Sequence, residues 1–141
     1  MTADTAARIL LVDDDEELRS VLSKLLRMRG YEVITARDGN DAAAVFRSNC
    51  PDLVITDIMM PEKDGLEFIQ EIRRLRAGVP IICISGGGNW QLKNQLDVAR
   101  LLGASLTLEK PILAEELWAA VESLIERGII APGPFSPEAV A

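Results

Sequence analysis

The chain has 141 residues, 48% of them hydrophobic and 26% charged, with a formal net charge of −7. That size suits one domain around one core, and so acidic a balance argues against general nucleic-acid binding, which needs clustered Lys and Arg. The absence of histidine excludes His-based triads, His-ligated metal sites and a phosphohistidine carrier within the chain.

In chain order, Ile9-Leu10-Leu11-Val12 is a short apolar run that predicts a buried strand. Leu18, Val21, Leu22, Leu25 and Leu26 follow at helical spacing, with Gly30 as the stop. Tyr31 to Ala36 is β-rich, Asp38-Gly39 turns the chain, and Ala42, Val45 and Phe46 mark a second helix. Leu53 to Thr56 is a third run, and Asp64-Gly65 opens a helix with Leu66, Ile69 and Ile72 inward. Pro80 to Ile84 is a fourth strand, and Gly86-Gly87-Gly88 precedes a helix holding Leu92, Leu96, Ala99 and Leu102. Leu106 to Leu108 is the fifth strand, and a last helix carries Leu113, Leu117, Val121 and Leu124.

Five strand–helix units in alternation predict an α/β fold: a doubly wound, five-stranded parallel sheet covered on both faces. Right-handed crossovers favour the flavodoxin-like order 2-1-3-4-5. The expected organisation is an extension over residues 1–7, one domain over 8–127 and a flexible tail over 128–141 that contains Pro132, Pro134 and Pro137. That tail is expected to be too short for a DNA-binding or catalytic domain. Neither a signal peptide nor a membrane-spanning run is evident, so no membrane insertion and a cytoplasmic setting are expected. Cys50 and Cys83 do not form a secreted disulfide framework, and Cys83, within Ile81 to Ile84, is expected to be a buried small hydrophobe.

The chemistry lies at the ends of the apolar runs. Strand one ends in Asp13-Asp14-Asp15, strand three in Asp57, strand four in Ser85, and strand five in Glu109-Lys110-Pro111. In a parallel sheet these ends share one rim, where open α/β sheets bind ligands. Three converging carboxylates repel unless a cation intervenes. A hard divalent ion with few protein ligands suits Mg²⁺, with Mn²⁺ as an alternative. A lysine ammonium can hold a phosphate oxygen, a hydroxyl can donate to another, and a carboxylate can serve as nucleophile. Layout alone does not say which aspartate does what.

Taken together, Leu11-Val12-Asp13-Asp14-Asp15, Asp57-Ile58-Met59-Met60-Pro61, Asp64-Gly65, Ser85 and Lys110-Pro111 resemble the receiver domain of two-component response regulators. The resemblance implies that Asp57 is the phosphoacceptor and that Asp14 is a direct metal ligand, with Asp13 acting through water. It further implies that the backbone carbonyl of Met59 completes the protein ligands, that Ser85 moves toward the phosphoryl group, and that Lys110 precedes a cis proline. The implied partners are a sensor histidine kinase or histidine phosphotransfer protein, and a downstream protein effector, with no nucleic acid. The implied function is a stand-alone receiver that switches a protein-binding surface or passes the phosphoryl group along a phosphorelay, and is not an enzyme with a substrate of its own.

Two departures stand out. Thr107 occupies the position where many receivers carry an aromatic switch residue, and Gly86, within a glycine run, follows Ser85. The surface expected to change includes Gly86, Trp90, Lys93, Arg100, Thr107, Glu109 and Trp118, although each Trp could equally cover a core edge.

Blander readings apply nearby. Asp15, Glu16 and Glu17 suit a helix start, and Gly86 to Gly88 lacks the GK[ST] of a phosphate-binding loop. Three rival functions compete. A Mg²⁺-dependent aspartyl-phosphate phosphatase would need a second acid where Met59 stands, and an acidic rim opposes a flavin phosphate. A receiver-shaped module that is never phosphorylated has no evident need of the full acid–lysine set.

Overall fold

The computed structural model describes residues 7–58, 65–86, 97, 100 and 103–128. Its elements in order are β1 (Arg8–Val12), α1 (Glu16–Met28), β2 (Glu32–Ala36), α2 (Gly39–Asn49), β3 (Leu53–Asp57), α3 (Gly65–Leu75), β4 (Ile81–Ser85), β5 (Leu106–Glu109) and α4 (Ala114–Glu126). The strands pair in parallel in the order β2-β1-β3-β4-β5, the flavodoxin-like order expected from the alternation of units.

Side chains alternate across a strand, and the core divides by parity. Leu10, Val12, Val54, Ile81 and Cys83 pack with Phe46, Phe68, Ile69 and Ile72 of α2 and α3. Ile9, Leu11, Leu53, Ile55, Ile82 and Ile84 pack on the opposite face with Leu22 and Leu26 of α1 and Leu117, Val121 and Leu124 of α4. Burial on both faces explains why β1, β3 and β4 are continuous apolar runs rather than alternating ones. Cys83 is fully buried, as its setting implies, and burial pushes its thiol up to about 12.

Local chemistry sets the helix starts. Asp15 caps α1 by accepting from Leu18 N at 3.1 Å, and Asp38 caps α2 by accepting from Asp41 N at 2.8 Å. The expected Asp38-Gly39 turn is thus a helix start. Each cap satisfies an amide left over in the first helical turn.

Two expected core residues face outward. Val21 is 52% exposed, and Leu113 is 60% exposed and precedes α4 as its cap residue rather than lying within it. Helical spacing identifies an apolar stripe but not its width; Leu22 and Leu26 fill the contact of α1 with the sheet and leave Val21 on the flank. Leu113 N is instead satisfied by Glu116 Oε1 at 3.0 Å. The helix expected from Leu92 to Leu102 lies outside the described residues except at Asp97 and Arg100, both helical. Among the described residues, no helix is long and apolar enough to cross a membrane.

Candidate functional site

The parallel register carries the strand ends to one rim. Val12 pairs with Thr56, Asp57 with Ile84, and Ser85 with Glu109. Residues just beyond these pairs therefore converge. Asp13 is tied to β2 through its N–H to Ala36 O at 3.2 Å, and Lys110 is tied to β4 through its N–H to Ser85 O at 2.8 Å. Ile58 N donates to Ile84 O at 3.0 Å, and Gly65 N returns to Ile58 O at 2.8 Å, which fixes both backbone groups of the residue that follows Asp57.

Asp13, Asp57 and Ser85 are buried, at 0%, 3% and 0% exposure, whereas Asp14 is exposed. One oxygen from each of Asp13, Asp14 and Asp57 lies within 4.8 Å of the others. Lys110 Nζ donates to Asp57 Oδ2 at 2.8 Å and lies 3.5 Å from Asp13 Oδ2. Burial raises the Asp13 carboxyl above its ordinary range; the Asp15 amide and Lys110 oppose that rise, and the charge of Asp57 adds to it. Burial alone would lower the Lys110 ammonium, but its bond to Asp57 and the charges of Asp57 and Asp13 raise it instead.

Two oxygens in this site lack a hydrogen bond, although one of them, Asp13 Oδ2, faces the Lys110 ammonium at 3.5 Å. Asp13 Oδ2 and Ser85 Oγ are buried without a hydrogen-bond partner among the described residues. A buried polar atom without a partner is costly. The charged one, beside two further carboxylates, is the arrangement a hard divalent cation resolves. Asp13, Asp14 and Asp57, all oxygen donors with one arm open to solvent, could hold such an ion.

Asp13, Asp14, Asp57, Ser85 and Lys110 are thus brought to one rim. The Lys110–Pro111 peptide bond is cis. Gly86, beside Ser85, is exposed. Thr107 lies apart from the carboxylates, pairs with Cys83 across the sheet and accepts from Arg100 Nη2 at 3.0 Å. Trp118 is half-buried; its Nε1 donates to Leu25 O at 2.8 Å, and the Arg29 guanidinium sits 4.1 Å from its ring centroid. Of the two readings open to it, the core-edge one describes its contacts. Met59 and Trp90 lie outside the described residues.

Two supporting residues were not legible in the sequence. Arg19 Nη1 donates to the backbone carbonyl of Asp13 at 2.7 Å, a contact with no spacing signal. Gly65 was expected only to open a helix, yet a Cβ there would come within 2.7 Å of Ile58 Cα and collide with the Asp57 carbonyl. The Asp64-Gly65 pair, expected to open a helix, carries no signal for this close approach.

Comparison with known proteins agrees with the geometry. A family model described as the response regulator receiver domain matches residues 9–122. The chain is 39% identical over 125 residues to "Probable transcriptional regulator ycf27" of Cyanophora paradoxa, covering 85% of this chain and 48% of that one. It is 38% identical over 131 residues to response regulator MprA of Mycobacterium sp. (strain KMS), covering 92% and 55%. The chain spans about half the length of these curated relatives. The crystal structure of a receiver domain protein from Clostridium thermocellum matches with a TM-score of 0.78 at 33% identity, over 86% of this chain and 96% of that one. With fold, converging acid–lysine rim and family match in agreement, the chain belongs to the response regulator receiver domain family.

Proposed function

We propose that Asp57 accepts a phosphoryl group from a phosphohistidine on a partner, and that the modified state is read by another protein or passed onward. The observation that carries this reading is the approach of Lys110 Nζ to Asp57 Oδ2 at 2.8 Å, beside the carboxylates of Asp13 and Asp14. In the transfer, an Asp57 carboxylate oxygen attacks phosphorus. The new P–O bond forms as the P–N bond to the donor imidazole breaks, and the leaving nitrogen keeps the electron pair and is protonated. The product is an acyl phosphate on Asp57.

Lys110 neutralises one phosphoryl oxygen as a point charge. The Ser85 hydroxyl, which has no hydrogen-bond partner among the described residues, donates to another. Asp14, Asp57 and the Met59 carbonyl, with Asp13 through water, would hold Mg²⁺ or Mn²⁺, which supplies positive charge where the transferring group is most negative.

The donor must reach a carboxylate that is only 3% exposed. An apolar groove of about 650 Å³ runs beside Lys110 between α1 and the segment after β5, lined by Leu18, Val21, Pro111 and Ile112. The exposure of Val21, one of its lining residues, and of Leu113, next in sequence to Ile112, supports docking of a histidine kinase or phosphotransfer protein there. Output runs through the face that holds Gly86 and Thr107, where Arg100 Nη2 donates to Thr107 Oγ1 at 3.0 Å, a bond that a change of state can break.

Incubation with acetyl phosphate and Mg²⁺, followed by intact-mass measurement, tests the reading. The expected result is a single phosphoryl adduct that depends on the metal and is absent in Asp57→Asn. An unmodified chain, or an adduct that persists in that variant, overturns it.

A further inference from the structure

A second concave site lies where α1 meets β2, lined by none of the three rim aspartates. Arg19, Ser20, Ser23, Lys24, Arg27 and Thr35 line a cavity of about 320 Å³. The first five lie on α1 at spacings of three and four residues, which places them along one helix face. In a chain of net charge −7, three cations and three hydroxyls share this one hollow.

None of these cations is spent in an ion pair among the described residues. Arg19 and Arg27 are instead held by neutral backbone carbonyls, at Asp13 O (2.7 Å) and Val33 O (3.1 Å). Such bonds orient a guanidinium while leaving its charge and its other N–H groups available. A separate observation points to a ligand: Ser23 is 3% exposed and its Oγ is buried without a hydrogen-bond partner among the described residues. A hydroxyl in that state has lost water and gained nothing in return.

We infer that this hollow binds the phosphate group of a soluble phosphomonoester. A phosphate offers several acceptor oxygens and up to two negative charges, which match guanidinium forks, an ammonium and hydroxyl donors together. The volume lies at the lower end of small-molecule sites. Glu16 also lines the hollow and opposes an anion, but the three cations outnumber it. An extended polyanion or an anionic membrane would in addition meet the exposed Glu17 and Glu32, so the arrangement favours a small ligand that reaches only the concavity.

Titration of the full chain with ribose 5-phosphate, and separately with inorganic phosphate, tests this inference through amide chemical shifts. Saturable changes centred on Ser23, Lys24 and Thr35 are expected. Lys24→Gln combined with Arg27→Gln should weaken binding by about tenfold or more, the scale of hydrogen bonds to charged groups. Ser23→Ala should weaken binding several-fold without lowering the melting temperature, since its hydroxyl has no partner to lose among the described residues. Four results overturn the inference: a response that does not saturate, shifts centred on Asp57 and Lys110, unchanged affinity in the variants, or binding of anionic vesicles or oligonucleotides in place of ribose 5-phosphate. Phosphorylation of Asp57 plays no part in the measurement, so its failure would leave this site untouched.

Discussion

Lys110 Nζ and Asp57 Oδ2 meet at 2.8 Å although 53 residues separate them in the chain. The contact joins the end of β5 to the end of β3 across the edge of β4. The ammonium also lies 3.5 Å from Asp13 Oδ2, so one cation faces two buried carboxylates while Asp14 adds a third nearby. The raised position of Lys110 means that its stabilising contribution is complete below its ordinary pKa of 10.5 and is lost only as the pH rises through the higher folded value. The carboxylate excess carries the opposite sign.

Asp13 has a raised carboxyl because burial disfavours its charge. Its ionisation therefore costs stability above the folded pKa, and the cost vanishes below the ordinary value of 3.8. Without metal at neutral pH, Asp13→Asn should be more stable than the parent by about 1 kcal/mol, a gain that shrinks as the pH falls toward 3.8. Added Mg²⁺ should raise the melting temperature of the parent more than that of the variant. Thermal melts with and without Mg²⁺ check both signs; equal, metal-independent responses would remove the cation site from the reading.

Gly65 is held against the Asp57 carbonyl and Ile58 Cα, both parts of the backbone and unable to swing aside. Gly65→Ala should cost about 2–3 kcal/mol through overpacking and should slow adduct formation at Asp57 by displacing its carbonyl. Chemical denaturation gives the first quantity, and a phosphodonor time course gives the second. A variant of parental stability would show that the turn has slack.

Trp118 Nε1 supplies a donor to Leu25 O, a carbonyl in the last turn of α1 where helical partners run out. Arg29 lies over the indole and also pairs with Glu122 at 2.8 Å, so α1 and α4 are joined at one place by three side chains. Trp118→Phe keeps most of the apolar area and removes the N–H, and should lower stability by about 1 kcal/mol. Phosphorylation at Asp57 should be unaffected. A stability equal to the parent, measured by urea titration, would mean that the bond contributes nothing.

Cys83 and Cys50 differ in environment. Burial holds the Cys83 thiol near 12, whereas Cys50 is exposed at the end of α2. Alkylation of the native chain with iodoacetamide should stop at one adduct, on Cys50, with Cys83 reacting only after denaturation. Peptide mapping distinguishes the two, and rapid native labelling of Cys83 would show that the β4 core opens readily.

Much of the fold was visible in the sequence because its signals are local. A four- or five-residue apolar run marks a strand buried on both faces, and Asp15 marks a helix start through a bond three residues long; Asp38, expected to form a turn, makes the same kind of bond. Val21 and Leu113 were misplaced because periodicity records which residues could face inward, not how much surface the neighbouring element covers. The acids of the rim were legible because each sits directly after an apolar run, where an unpartnered charge is costly. Arg19 gave no such warning, since its partner is a backbone carbonyl.

By itself, the amino-acid order determined the five alternating units, the two-sided sheet and the set of polar residues placed at its carboxyl edge, because those follow from short-range pattern and chain connectivity. Only the tertiary structure decided which oxygens lack a hydrogen bond among the described residues, how closely Gly65 approaches Asp57, where Trp118 spends its N–H, and that three cations of α1 share a hollow with a buried serine. Those outcomes depend on distances between elements, which are set by how side chains fill the space on either side of the sheet.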